Sequence, residues 1–136
     1  MLLGGKDDVS KAKELLDHRP QGIINLCDNL NIQASAEVIK NSILLLSGDT
    51  GLMHIAATLD TKVVAVYGST HPILGYTPYY NGNNKSIIIE NNQLNCRPCT
   101  KQGRDTCPKG HFKCMKDLDS SVLIDKISSF IYSHES

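Results

Sequence analysis

The sequence predicts an α/β protein built on an open parallel sheet with right-handed crossovers. Three short apolar runs, SILLL (42–46), KVVAVYG (62–68) and KSIIIE (85–90), lack the polar alternation of a half-solvated strand. The KVVAVYG run is of the continuous kind expected of strands covered on both faces in parallel sheets. Stretches with helical spacing alternate with the early runs, and strand–helix–strand order favours parallel pairing.

The elements follow in order. MLL ahead of Gly4 and Gly5 reads as the end of a strand, cut short at three apolar residues. Val9, Ala12, Leu15 and Leu16 recur at helical spacing, which predicts a helix over 7–18. Asp7 and Asp8 suit its first turn, where the helix dipole favours negative charge, and Pro20 is expected to end it. GIINL (22–26) reads as a buried strand, and Ser35 or a residue just before it as the cap of a helix through Ala36, Val38 and Ile39. SILLL is the next buried strand. TGLMHIAATL then forms a helix with Leu52, Ile55, Ala56 and Leu59 on one face. KVVAVYG and KSIIIE supply two more strands. Residues 69–84, rich in Gly, Pro, Asn and Tyr, read as a long loop. A polar, cysteine-bearing excursion spans 91–117. Val122, Ile124, Ile127 and Ile131 mark a terminal helix over 118–134. A single domain over 1–136 is expected. The short opening strand suggests that it is the later part of a larger protein.

Composition narrows the function. The chain has 136 residues, with 14 Lys plus Arg against 14 Asp plus Glu and no formal net charge. A nucleic-acid-binding surface normally carries excess positive charge, so no nucleic-acid partner is expected. No apolar run approaches the roughly 20 residues of a membrane span. MLLGGKDD lacks the charged-then-apolar plan of a secretory signal, so the expected compartment is the cytoplasm.

The chemistry is concentrated in SGDTGLMHIAA (47–57), where a strand passes into a helix. Open α/β sheets bind ligands at the carboxyl ends of their strands. The first turn of a helix offers unpaired N–H groups and partial positive charge, which together attract phosphate. Gly48 and Gly51 allow backbone to approach a ligand closely, and Thr50 adds a hydroxyl donor. Asp49 would repel phosphate, but its carboxylate suits the hydroxyls of a sugar. Phosphate donors beside a sugar acceptor point to a nucleotide sugar. His54, one turn on, reaches the same pocket. The alternatives are that Asp49 merely caps the helix and that His54 is an ordinary, partly buried histidine.

Together these residues resemble a family signature. GDTGLMHIAATLDTKVVAVYGSTHP is similar to a segment of glycosyltransferase family nine, the ADP-heptose:lipopolysaccharide heptosyltransferases. The resemblance rests on Asp49, Thr50, Gly51, His54 and Ala57, then on Tyr67, Gly68, Thr70 and Pro72. LLGGKDD resembles the family's strand–Gly–x–x–acid junction, and CRPCTKQGRDTCPKGHFKCM a cysteine-rich segment of some members. The resemblance implies the GT-B architecture of two Rossmann-like domains facing across a cleft, with this chain as most of the later, donor-binding one. It implies that Thr50 and Gly51 contact the diphosphate and Asp49 the heptose hydroxyls. It also implies that Leu30 meets the adenine through its backbone, Asp8 the ribose, and that Thr70 lines the same cleft. The implied donor is an ADP-sugar and the acceptor a lipopolysaccharide core. The implied place is the inner face of a bacterial inner membrane, with peripheral contact and no divalent metal required for transfer. The family's phosphate-neutralising lysine and its acidic general base have no counterpart here. The chain is therefore expected to bind donor without catalysing alone.

Cys96, Cys99, Cys107 and Cys114 lie within nineteen residues of one another. Four thiolates opening on Cys-x2-Cys match a structural zinc site, with His111 as an alternative fourth ligand. Disulfides and free thiols are the other two readings. Lys101, Arg104, Lys109 and Lys113 read as a solvated face, which an anionic lipid-linked acceptor would meet favourably. Cys27 reads as a small core residue.

Overall fold

The computed structural model describes residues 1–18 and 21–132. It divides into two compact units, residues 1–38 and 39–136.

In the first unit a parallel ladder begins and stops after one bridge. Leu2 pairs with Asn25; Leu2 N–H donates to Ile24 O at 2.8 Å and Leu26 N–H to Leu2 O at 2.9 Å. The buried strand expected over 22–26 is therefore corrected to a bridge, with Ile24 59% exposed. The opening run has too few residues before its glycines to extend the pairing, and Gly22 turns the chain at φ +76° just ahead of it. A 3-10 turn over Lys6–Asp8 leads into α1 (Val9–His18), so Asp7 and Asp8 precede the helix proper. Pro20, expected to end α1, lies outside the described residues.

α2 (Ile32–Lys40) crosses the unit boundary. Its cap is Asn31, whose Oδ1 accepts the Ala34 N–H at 2.9 Å. This corrects the cap expected at or just before Ser35, which is instead a buried residue inside the helix. The helix starts earlier because Asn31 satisfies an otherwise unpaired first-turn amide.

The second unit holds a three-stranded parallel sheet in the order β1 (Leu44–Ser47), β2 (Lys62–Tyr67), β3 (Ser86–Glu90). β2 is central; Val63, Val64, Ala65 and Tyr67 have no exposure, as the unbroken apolar run predicts. β1 is at an edge, so Leu46 stays 52% exposed and the expectation of a fully buried strand there is corrected. α3 (Gly51–Thr58) links β1 to β2 and buries Met53, Ala56 and Ala57. Each large apolar side chain buried this way contributes about 1.5–3 kcal/mol.

β2 reaches β3 without a crossover helix. Residues 68–85 make the connection as a loop with one 3-10 turn, Pro72–Leu74. Two buried phenols fix this loop. Tyr67 Oη donates to Tyr76 O at 2.6 Å. Tyr80 Oη lies 2.9 Å from Thr61 O and 3.0 Å from Lys85 O. Asp60 and Lys85 add an ion pair at the near end. Beyond the cysteine-bearing stretch come α4 (Lys113–Lys116) and α5 (Ser120–Tyr132). Asp119 Oδ1 accepts from Ser121 N–H at 2.9 Å and so caps α5. At its other end, Lys62 Nζ donates to the carbonyls of Phe130 and Ile131 at 3.2 and 2.9 Å. Residues 133 and 134, expected to finish this helix, lie outside the described residues.

Burial first, then the charges of Asp49 and Glu90, pushes the Tyr67 phenol up to about 12. Burial and then Asp60 does the same for Tyr80, also to about 12. The folded state keeps protons that the unfolded chain loses above pH 10, so stability falls as pH rises from 10 through 12. An absorbance titration should therefore show two of the five tyrosines ionising last, together with unfolding. Tyr67→Phe and Tyr80→Phe should each remove one late step. Ionisation of Tyr67 and Tyr80 near pH 10 on a folded chain would contradict this.

Candidate functional site

Gly48, Asp49 and Thr50 leave the carboxyl end of β1 and lead into α3. Parallel pairing puts the ends of β1, β2 and β3 on one edge, so the segments after Ser47, Tyr67 and Glu90 emerge together. Gly48 is close to β2: a Cβ there would sit 3.7 Å from Val66 O. The charges of Asp49 and Glu90 both act on Tyr67, which ties the same edge together electrostatically.

The start of α3 is open. Thr50 is the N-cap residue in extended conformation (φ −138°, ψ 164°), and its side chain makes no capping hydrogen bond. Its Oγ1 lies 2.9 Å from Ser47 Oγ instead. With Ser47 as donor, the Thr50 hydroxyl keeps its own proton for a ligand oxygen. Gly51 is exposed, and a Cβ there would meet nothing within 4 Å. Asp49 is half-buried and is not the cap residue, so the capping alternative for it is set aside. His54 is half-buried one turn into the helix. Ser47 was not singled out from sequence, although its i, i+3 spacing from Thr50 was a usable signal.

Thr70 belongs to the next loop along the edge and is 8% exposed. Its carbonyl accepts from Arg97 Nη2 at 3.0 Å. His71 follows, with Nδ1 accepting the Ile73 N–H at 3.0 Å and Nε2 3.7 Å from Glu90 Oε2. Leu30 and Asp8 lie in the first unit. Leu30 is half-buried and immediately precedes the Asn31 cap. Asp8 Oδ2 accepts the Gly5 N–H at 3.1 Å.

All five cysteines are free thiols. Among the described residues no group of three or more His, Cys, Asp and Glu is arranged to hold a metal ion. Cys96, Cys99, Cys107 and Cys114 as placed therefore do not fit the zinc cage their spacing suggests. The Cys99 thiol lies 3.6 Å from Cys96 O, and Cys96 Sγ lies 3.9 Å from His111 Nε2. Cys107 faces the backbone amides of Phe112, Lys109, His111 and Gly110, while Cys114 is buried. His111 Nδ1 accepts the Lys113 N–H at 3.0 Å, which leaves the proton on Nε2, the nitrogen nearer the sulfur.

An exposed helix start at the carboxyl edge of a parallel sheet is how α/β proteins hold anionic groups. The chain belongs to glycosyltransferase family 9 (heptosyltransferase), whose family model matches residues 1–109. It is 30% identical over 118 residues to lipooligosaccharide heptosyltransferase 2 of Campylobacter jejuni, covering 87% of this chain and 35% of that protein. It is 27% identical over 135 residues to the protein of the same name from Haemophilus influenzae, covering 96% of this chain and 37% of that one. The chain thus spans about a third of the length of the curated relatives it matches. A solved family 9 glycosyl transferase from Veillonella parvula superposes with a TM-score of 0.74 at 18% identity, over 96% of this chain and 36% of that one. That likeness establishes the shared fold, of the GT-B type. No helix among the described residues is long and apolar enough to cross a membrane.

The thiols differ enough in environment to be ranked. The Phe112 amide, with help from those of Lys109, His111 and Gly110, draws the Cys107 thiol below its ordinary value against a smaller effect of burial. Burial, then Asp8, pushes Cys27 up, and burial pushes Cys114 up. Brief iodoacetamide treatment near neutral pH, read by peptide mass spectrometry, should label Cys107 first and Cys27 and Cys114 last, because the thiolate is the nucleophile. Uniform labelling of all five would contradict the placement of Cys107 against these amides.

Proposed function

We propose that the chain is the donor-binding part of an inverting glycosyltransferase that moves heptose, or a related sugar, from an ADP-sugar to a lipopolysaccharide core acceptor. The observation that carries this reading is the exposed, side-chain-uncapped start of α3 beneath Gly48-Asp49-Thr50-Gly51. In this reading the amides of Gly51 and Leu52 and the Thr50 hydroxyl receive the diphosphate, and Asp49 accepts hydrogen bonds from the sugar. His54 borders the same site. Thr70 lines the cleft from the next loop. Preorganised donors aimed at the leaving diphosphate lower the barrier without rearranging during the reaction.

The general base that removes the acceptor proton is not among the residues assigned here. In this reading the base comes from outside the residues assigned to the donor, and these residues bind donor without supplying it. The work is placed at the cytoplasmic face of the bacterial inner membrane, where the lipid-linked acceptor is met peripherally. Transfer proceeds without a divalent metal.

Calorimetric titration with ADP, ADP-heptose and a panel of GDP-, UDP- and CDP-sugars tests the reading. Binding should favour the adenine pair. Asp49→Ala should weaken ADP-heptose by about tenfold or more, the cost of lost charge-assisted hydrogen bonds, and leave ADP nearly unchanged. Equal losses for both ligands would remove Asp49 from the sugar site, and no binding of either would refute the reading. A chain that binds ADP and ADP-heptose alike is a nucleotide-binding module without sugar recognition.

A further inference from the structure

Arg97, from the cysteine-bearing stretch, holds the carboxyl edge of the sheet from within. Its side chain is 1% exposed. Nε donates to Gly68 O, Nη1 to Asn91 O at 2.9 Å, and Nη2 to Tyr67 O and Thr70 O, both at 3.0 Å. Four of the guanidinium's five N–H donors are thus spent on backbone carbonyls at the ends of β2 and β3. Its charge also faces Glu90 Oε2 at 3.0 Å, a buried oxygen that takes no aligned hydrogen bond. Without the guanidinium, these carbonyls would lose a shared donor and Glu90 its main counter-charge.

The same stretch grips the loop after β2 from a second side. Cys99 N–H donates to Ser69 O at 2.8 Å, and Arg104 N–H to Ser69 Oγ at 2.9 Å. Gly103, at φ +81°, packs so closely that a Cβ would come within 3.0 Å of Ser69 Oγ and 3.2 Å of Thr70 Cγ2. The carbonyls of Tyr67, Gly68 and Thr70 turn toward Arg97. Because trans peptides place N–H opposite C=O, the amides of Gly68, Ser69 and His71 turn away from it. Tyr67, gripped by its carbonyl, sets its hydroxyl 3.8 Å from Met53 Sδ in the first turn of α3.

We propose that Arg97 is a positioning residue for the donor site, fixing the Tyr67–Thr70 backbone and, through Tyr67 and Met53, the first turn of α3. The proposal rests on the donor-binding reading above. The charge alone is not sufficient, because a lysine ammonium cannot span four carbonyls in one plane.

The test compares the 136-residue chain with its Arg97→Lys variant by thermal melting, hydrogen exchange and ADP calorimetry at a temperature where both are folded. The variant should melt cooperatively, bind ADP about tenfold more weakly, and exchange about tenfold faster over 67–72 with 63–66 unchanged. A structural role alone would lower the melting temperature and leave affinity intact. That result, or unchanged exchange over 67–72, overturns the proposal. Should Arg97→Lys fail to fold, Gly103→Ala, which presses on Ser69 and Thr70 from the other side, should weaken ADP binding, and wild-type affinity there overturns it equally. A wild-type chain that binds no ADP or ADP-heptose refutes the donor-site reading and the proposal together. A wild type that binds, with a variant that binds equally, refutes only the proposal.

Discussion

The constraint on which the second unit depends is the burial of four of the six residues of β2. Val63, Val64, Ala65 and Tyr67 lie between two parallel neighbours with no surface left to water. A strand in that position fixes the direction of its partners, and with it the edge from which every loop carrying chemistry emerges. Polar groups at the end of such a strand must then find partners or face solvent. Both outcomes occur here. The start of α3 opens to solvent, while the end of β2 is closed over by Arg97.

That contrast sets how so small a sheet presents the candidate site. A parallel pair usually relies on a crossover helix, yet the 68–85 connection has none. Side-chain hydrogen bonds to backbone replace it: Tyr67 ties the loop from the sheet, Tyr80 ties it to Thr61 from within the loop, and Arg97 ties it from the cysteine-bearing stretch. The polar excursion is therefore part of the sheet's edge. Its cysteines neither pair nor converge on a metal site in this arrangement, and the stabilising contacts come from Arg97 and from the amides of Cys99 and Arg104.

What was legible in the sequence follows from how local each cause is. KVVAVYG announces a buried strand because the burial pattern is written in consecutive residues. TGLMHIAATL announces a helix by its period, and the resemblance carried by Asp49, Thr50, Gly51 and His54 places the candidate site at its start. GIINL misleads because its apolar content matches a buried strand, while pairing stops at Asn25 and leaves Ile24 in solvent. Asn31 was overlooked as a cap because Ser35 competes for the role on residue type alone. Arg97 left no trace: three of the four carbonyls it binds lie 27 to 30 residues away, and no side-chain pattern records backbone partners. The cysteine spacing promised ligands, but spacing does not say where sulfurs point, and Cys107 points at its neighbours' amides.

The central claim is that the first turn of α3 receives the negatively charged bridge of an activated sugar. Amide chemical-shift mapping on the nitrogen-15-labelled chain during ADP addition tests it most directly. The earliest and largest saturable shifts should fall on the amides of Thr50, Gly51 and Leu52. Saturable binding that leaves those three amides unmoved would contradict it.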